Sequence, residues 1–464
     1  MKFNKKKINY LLLCIVLFSS LLIFNTANFY TSNIIEKDLE STHIENQSQL
    51  KTSQSNNSGW ITLWGNTNKL IGELGTDIIN DETGNSYVVG TQSYYENSTK
   101  FLCFLKFNLN GTLIWERLWS NLTTNGGLDI VIDELNNTYI VGFLNNNTSD
   151  NFDVCILKYN STGHLQWDEI WGGLQSDLAT KIAINGTNEI YITGHTKSYG
   201  ANNETDTFLL KYNSTGHLQW DEIWDNSNSD SGNGIIFDSL GDLYLTGSTN
   251  VTSGEELNPY LLKYNSSGTL ISIKIWNELI GYLPTSMTND TLNNLYIAGY
   301  LYIVDNVNVD TFLYKCDLSG NIEWNVTWGG SSMESLEDFI IDGNGNIYLT
   351  GYTNSYGGST NIFLLKYNQT GIFQWYDILG DGSINVAFGI GVDSQDNIYL
   401  TGLTQLTREN AGNLFILKYD SNMVYFHSTG GIPGFDLYII IGLFSIFTMS
   451  FVIIIIKKTR YKIN

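Results

Sequence analysis

KYNSTGHLQWDEIW runs from Lys158 to Trp171 and again, letter for letter, from Lys211 to Trp224, 53 positions later. A duplicated stretch is either a motif kept for chemistry or a structural unit used twice. The sequence around it decides for the unit. A Tyr-x-x-Gly tetrad recurs seven times, with its glycine at Gly90, Gly142, Gly194, Gly247, Gly299, Gly351 and Gly402, at spacings of 51 to 53 residues. Self-similarity at so even a period marks an array of one supersecondary unit.

Each unit follows the same grammar. Nine residues before each glycine stands Asp81, Asp133, Asn185, Asp238, Asp290, Asp342 or Asp393, opening turns such as DETGN and DGNGN. Asp or Asn there accepts backbone N–H bonds and the following Gly or Asn tolerates left-handed φ, which predicts a tight hairpin. A third strand reads FLKFN, ILKYN, LLKYN, LLKYN, LYKCD, LLKYN and ILKYD, and a turn such as NSTG leads to a fourth. The fourth carries Trp at i and i+4: Trp115 and Trp119, Trp167 and Trp171, Trp220 and Trp224, Trp324 and Trp328. Side chains alternate along a strand, so each pair shares one face and can lie against a neighbouring sheet. Four strands per unit, seven times over, predicts an all-β, seven-bladed propeller. A Trp strand, WITLW at Trp60 to Trp64, precedes the first unit, and none follows the last. The N-terminal strand is therefore expected to complete the seventh blade and close the ring.

Composition agrees. Charged residues are 15%, aromatics 13%, Gly 44 and Pro 3 of 464 residues, which suits strands joined by tight turns. The expected organisation is a signal peptide or signal anchor over 1–27, a polar linker over 28–58, the propeller over 59–428 and a stalk over 429–436. A transmembrane helix over 437–456 and a basic cytoplasmic tail over 457–464 complete it. The first segment rests on Lys5 to Lys7 ahead of an apolar run, the last two on 20 apolar residues followed by Lys457, Lys458, Arg460 and Lys462. By the positive-inside rule the propeller lies outside the cell. Between residues 28 and 435 about 16 positive side chains face 45 negative ones. That balance argues against nucleic acid, whose binding needs Lys and Arg at phosphates.

Chemistry is sparse. Of four cysteines Cys14 lies in the signal segment, and Cys103, Cys155 and Cys316 lack disulfide or zinc spacing, so they read as small core residues. The histidines show no metal or nucleophile motif. The pairs Asp168-Glu169 and Asp221-Glu222 fall on outer strands, where charge blocks edge-to-edge aggregation, rather than facing each other across a cleft. The hairpin turns lack the full calcium-loop pattern. No catalytic residue, no metal ligand and no cofactor is expected, calcium being the one ion these turns suggest. Variable loops between second and third strands and between blades share one face, where binding residues usually stand. Tyr95, Tyr199 and Tyr356, five residues after their glycines, are candidates to meet sugars or peptides. Asp77, Asp129 and Asp338, 13 before theirs, are candidates to line the channel mouth. Asn97, Asn110, Asn136, Asn160, Asn185, Asn213, Asn250, Asn265, Asn325 and Asn368 open sequons, which on a secreted chain would accept glycan.

The Gly-Asn-Ile-Tyr-Leu-Thr-Gly-Tyr-Thr pattern at Gly345 to Thr353, the FLLKYN that follows, and Trp-Gly-Gly ending at Gly173 and Gly330 resemble the SBBP seven-bladed propeller repeat. The resemblance covers about residues 60 to 420 and implies a secreted or surface propeller. GIPGF at Gly431 to Phe435, ahead of an apolar segment and a basic tail, resembles the PGF-type sorting tail of archaeal surface proteins, which implies retention at the cell surface. NSTGHLQW is similar to the tryptophan-docking motif of quinoprotein propellers; those have eight blades, so the likeness implies shared packing. The expected function is a noncatalytic, membrane-anchored surface propeller binding a protein or glycan through its variable loops. An extracellular polysaccharide lyase or hydrolase is the alternative from another class, and a structural envelope component a third.

Overall fold

The computed structural model describes residues 59–65, 71–94, 99–120, 124–145, 151–200, 204–226, 229–250, 257–303, 308–380, 382–405 and 412–421, with 435–440 and 453–458 in the tail. Seven four-stranded antiparallel sheets form the blades. Blades 1 to 6 span 71–119, 125–171, 177–224, 230–275, 282–328 and 334–379. Blade 7 takes three strands from 384–419 and its outermost from Gly59–Trp64, which pairs antiparallel with Asn413–Tyr419 in the register Trp60 to Lys418 and Trp64 to Leu414. The expected closure by the N-terminal strand is thus present. The innermost strand of each blade touches those of both neighbours, including Ile71–Asn80 against Ile384–Val392, so the ring has no seam.

The hairpins form as their residues dictate. Asp81 Oδ1 accepts the N–H groups of Thr83 at 3.0 Å and Asn85 at 2.9 Å, while its Oδ2 accepts the Asn85 amide at 2.9 Å and the Tyr87 hydroxyl at 3.3 Å. Lys106, from the third strand, lies 4.5 Å from the Tyr87 ring. Acid, tetrad tyrosine and third-strand lysine are therefore one device, repeated around the ring as Asp393, Tyr399 and Lys418. Blade 3 exchanges its parts: Asn185 opens the turn and Glu189, four residues on, supplies the carboxylate, 2.8 Å from Lys211.

The tetrad glycine answers a bulge on the innermost strand opposite. Register slips by one residue between Gly75 and Asp77, and at the same place in every other blade. The bulge presses the inner strand on its neighbour, so a Cβ at Gly90 would meet the carbonyl oxygen of Leu74, and one at Gly299 that of Leu283.

The core is a set of wedges between blades. Each of seven apolar clusters draws on two neighbouring blades, among them one joining Ile78 and Leu105 of blade 1 to Leu414 and Ile416 of blade 7. The second Trp of an outer strand packs on the third strand of the next blade: Trp171 lies 4.7 Å from Phe208, Trp224 4.6 Å from Tyr260 and Trp328 5.0 Å from Phe363. The first Trp covers the next blade's turn glycine, Trp115 over Gly163 and Trp167 over Gly216. Cys103, Cys155 and Cys316 are buried and free, as expected of core residues. Asp168, Glu169, Asp221 and Glu222 are exposed on outer strands.

The signal segment 1–27, the linker 28–58 and the Pro-Gly-Phe residues lie wholly or largely outside the described residues. Of the apolar run 437–456, residues 441–452 lie outside them, and its ends fall in two strands, Phe435–Ile440 and Ile453–Lys458, paired antiparallel. No helix among the described residues is long and apolar enough to cross a membrane.

Candidate functional site: the channel mouth

The seven bulges define the site. Thr76, Leu128, Thr180, Asn233, Thr285, Glu337 and Phe388 are the inserted residues of the seven innermost strands, and all seven line one cavity of about 200 Å³. A bulge turns one extra side chain away from the ladder and tightens the local twist. Repeated about an axis, it aims a ring of side chains into the channel. The residue after the tetrad glycine joins the ring from the second strand, as Phe143, His195, Ser248 and Tyr300. These positions lie toward the ends from which the variable loops leave.

Glu337 and His195 of this ring are uncharged at neutral pH, while Lys181 brings a positive charge to the cavity lining. Burial pushes the Glu337 carboxyl up to about 8; Asp338 adds to this, and a 3.0 Å hydrogen bond from the Ser335 hydroxyl opposes it. Burial, aided by Lys197 and opposed by Asp177, pushes the His195 imidazole down to about 4. Glu337 thus keeps its proton and His195 lacks its second one. His195 Nδ1 is buried with no hydrogen-bond partner among the described residues. Phe143, Phe152, Tyr300 and Phe388 provide aromatic surface, and Asn233 and Ser248 polar points.

One residue after each bulge lies a second layer, and here the sequence candidates Asp77, Asp129 and Asp338 come together. All three are buried. Lys181 holds the equivalent place in blade 3, with its Nζ 3.0 Å from Asp129 Oδ1 and 3.7 Å from Asp338 Oδ1. The carboxylates also tie blades together: Asp77 Oδ2 accepts the Ile130 N–H at 3.1 Å, and Asp129 Oδ2 the Ile182 N–H at 2.7 Å. Burial and the neighbouring Asp129 raise the Asp77 carboxyl well above its usual range. The three acids are thus brought together as a partly neutralised brace beneath the mouth; Lys181 lines the cavity and none of the three does.

The tyrosine candidates divide. Tyr95 lies outside the described residues, as does Asn97. Tyr199 is 46% exposed, yet its hydroxyl donates to the Gly172 carbonyl at 2.6 Å and its ring lies 4.9 Å from Trp171. Tyr356 repeats this against Gly329, at 3.4 Å, and Trp328, at 5.4 Å. Both fasten a loop to the preceding blade. Several sequon asparagines do turn work. Asn160 Oδ1 accepts from the Thr162 N–H and hydroxyl and from the His164 N–H, and Asn185, Asn213, Asn265 and Asn368 repeat the pattern. The hairpin acids are taken up by their own turns in the same way.

Sequence reasoning missed His195, Glu337, Tyr300 and Phe388. A signal existed: the residue after the tetrad glycine reads Thr91, Phe143, His195, Ser248, Tyr300, Tyr352 and Leu403, varied beside an almost constant neighbour.

Residues 223–255 match the model of the SBBP beta-propeller repeat, and residues 343–371 that of a beta-propeller domain of unknown function, DUF5122. The chain is 22% identical over 420 residues to an uncharacterized WD repeat-containing protein of Acanthamoeba polyphaga mimivirus; the match takes in 71% of this chain and 29% of that protein. Among solved structures it is similar to a protein of unknown function from Dyadobacter fermentans, at 10% identity and a TM-score of 0.45 over 76% of this chain and 96% of that one. The propeller domain of the Trilobed protease from Pyrococcus furiosus gives 10% and 0.45, over 75% and 95%. A polysaccharide lyase gives 10% and 0.47, over 75% and 90%. The chain is a seven-bladed β-propeller, one stretch of which matches the SBBP repeat model and another the DUF5122 propeller model.

Proposed function

We propose that this chain is a noncatalytic binding propeller that takes a neutral glycan at its channel mouth, displayed outside the cell through the apolar segment 437–456. The observation that carries the reading is the aromatic-walled cavity ringed by all seven bulge residues, in which Glu337 and His195 are both neutral. A sugar has an apolar C–H face and a rim of hydroxyls; aromatic rings suit the first, and Asn233, Ser248 and His195 the second. The acids beneath are held by Lys181 and by backbone amides, which leaves the bulge residues and Lys181 itself to meet the ligand. The test is calorimetric titration with a panel of neutral oligosaccharides. Phe388→Ala and Asn233→Ala are each expected to weaken binding about tenfold, the loss of about 1.4 kcal/mol, with the fold retained. Absence of binding across the panel, or binding by both variants as tight as by wild type, would overturn the reading.

One observation favours an extracellular polysaccharide lyase or hydrolase instead. Glu337 and His195 line the same cavity with proton affinities pushed in opposite directions, the pattern of an acid/base pair. On that reading polysaccharide is cleaved, and Glu337→Gln and His195→Ala abolish turnover while oligosaccharide still binds. On the binding reading no substrate is turned over by any form.

A further inference from the structure

A second polar feature lies away from the channel, where blade 3 meets blade 4. Asp206 begins the third strand of blade 3, Asp225 follows its outermost strand, and Asp230 begins the innermost strand of blade 4. One carboxylate oxygen from each lies within 4.8 Å of the others. Asp206 and Asp230 are each 1% exposed. Neither Asp206 carboxylate oxygen has a hydrogen-bond partner among the described residues, and neither does Asp230 Oδ1. Asp230 Oδ2 accepts the Asn226 N–H at 2.8 Å. Two enclosed carboxyls, Asp206 with both oxygens unpartnered, therefore lie together with a third carboxylate close by. Such an arrangement costs free energy unless a positive charge or protons enter it.

The other blades show what is particular here. The pair of acids recurs between blades 2 and 3 as Asp153 and Asp177, and between blades 5 and 6 as Asp310 and Glu334. In those junctions the residue after the outermost strand is glycine, Gly172 or Gly329, whose Cβ would run into Asp153 or Asp310. Gly380 stands likewise against Asn361, and Gly65 against Glu73 and then Asn413. Only at the blade 3–4 junction, among the described residues, does a third carboxylate take that place. Burial, with Asp225 and Glu204 nearby, pushes Asp206 up to about 6, the electrostatic sign of the same crowding.

We propose that Asp206, Asp225 and Asp230 bind a hard divalent cation, calcium by its tolerance of irregular ligand sets. Their three oxygens lie within 4.8 Å of one another, near enough for small side-chain shifts to bring them onto one ion; calcium accepts irregular oxygen shells, whereas magnesium demands near-ideal octahedral geometry. Water fills the remaining positions. The ion would join the third strand of one blade, the exit of its outermost strand and the innermost strand of the next, so its effect is on the stability of that junction.

The experiment uses the full chain and two readouts. The first is the thermal midpoint in calcium chloride, in magnesium chloride and in chelator. The second is terbium luminescence sensitised through the neighbouring Trp224, followed by displacement with calcium. Asp225→Gly restores the residue that four other junctions carry and is expected to fold; Asp206→Asn keeps shape and removes a charge. Calcium should raise the wild-type midpoint by several degrees in a saturable manner, with magnesium weaker, and both variants should lose that rise and the terbium signal. A wild-type midpoint indifferent to calcium would overturn the proposal. So would a calcium or terbium response of unchanged size in Asp225→Gly, which would place the ion elsewhere.

Discussion

The carboxylate of Asp129 in blade 2 accepts the backbone N–H of Ile182 in blade 3 at 2.7 Å, while its other oxygen meets Lys181 at 3.0 Å. One side chain thus closes a gap between two sheets and balances a charge in the channel. Asp129→Ala is expected to cost about 3 kcal/mol, since it strands a backbone donor and removes a partner of a buried lysine. The urea midpoint should fall at unchanged slope. Oligosaccharide affinity should persist, which separates a bracing acid from a ligand-binding one.

Packing between blades is expected to outweigh anything on the outer rim. Trp224→Ala removes the ring that lies 4.6 Å from Tyr260 and should cost about 3–5 kcal/mol. Glu222→Ala, two residues earlier and exposed, should stay within about 0.5 kcal/mol. Equal losses in a denaturant series would contradict the wedge-like core.

Glu337 and His195 of the mouth give opposite pH dependences. Glu337 keeps its proton to about 8 in the folded chain, against 4.5 for an ordinary Glu. The folded state binds the extra proton between those values, so stability falls as pH rises through that window. His195, at about 4 against 6.5, binds fewer protons when folded, so stability falls as pH drops from about 6.5 toward 4. The advantage of Glu337→Gln over wild type should therefore grow from pH 5 to pH 8, and that of His195→Gln from pH 7 to pH 4. Chemical denaturation across the range reads both; a flat difference for either would show that the group is not held as described.

Removal of residues 59–64 should be far more damaging than its length suggests. The deletion leaves Asn413–Tyr419 as an unpaired edge and takes Trp60 and Trp64 from the wedge between blades 1 and 7. Exposed edges template aggregation. Light scattering should rise and cooperative melting should be lost, whereas a chain starting at Ser58 should melt as the intact protein does.

The ring, its seven blades and its closing strand were legible because each rests on a period, and a period survives local variation. Tyr87, Asp81 and Lys106 could each be read at its place in the unit, although their mutual contact could not. The mouth was obscured by one residue per blade. Alternation along Ile71–Asn80 gives no notice of a bulge, and the slip at Thr76 decides which side chain reaches the cavity. Asp77 was therefore expected at the rim and lies one layer below it, and Glu337 was passed over beside Asp338. Tyr199 and Tyr356 sit on the loops expected of them, but their hydroxyls are engaged by Gly172 and Gly329. Sequon abundance has a local cause as well: Asn-x-Ser/Thr is the hydrogen-bonding set of the turn itself at Asn160 and Asn213.

Gly59 pairs with Tyr419 at the end of the ladder that completes blade 7. Gly59 and Tyr419 therefore lie side by side on the rim that carries the short turns, opposite the one toward which the cavity lies. A support attached at either residue would grip the ring by its plain underside and turn the cavity away from itself. The splice that seals the circle also gives the molecule a top and a bottom.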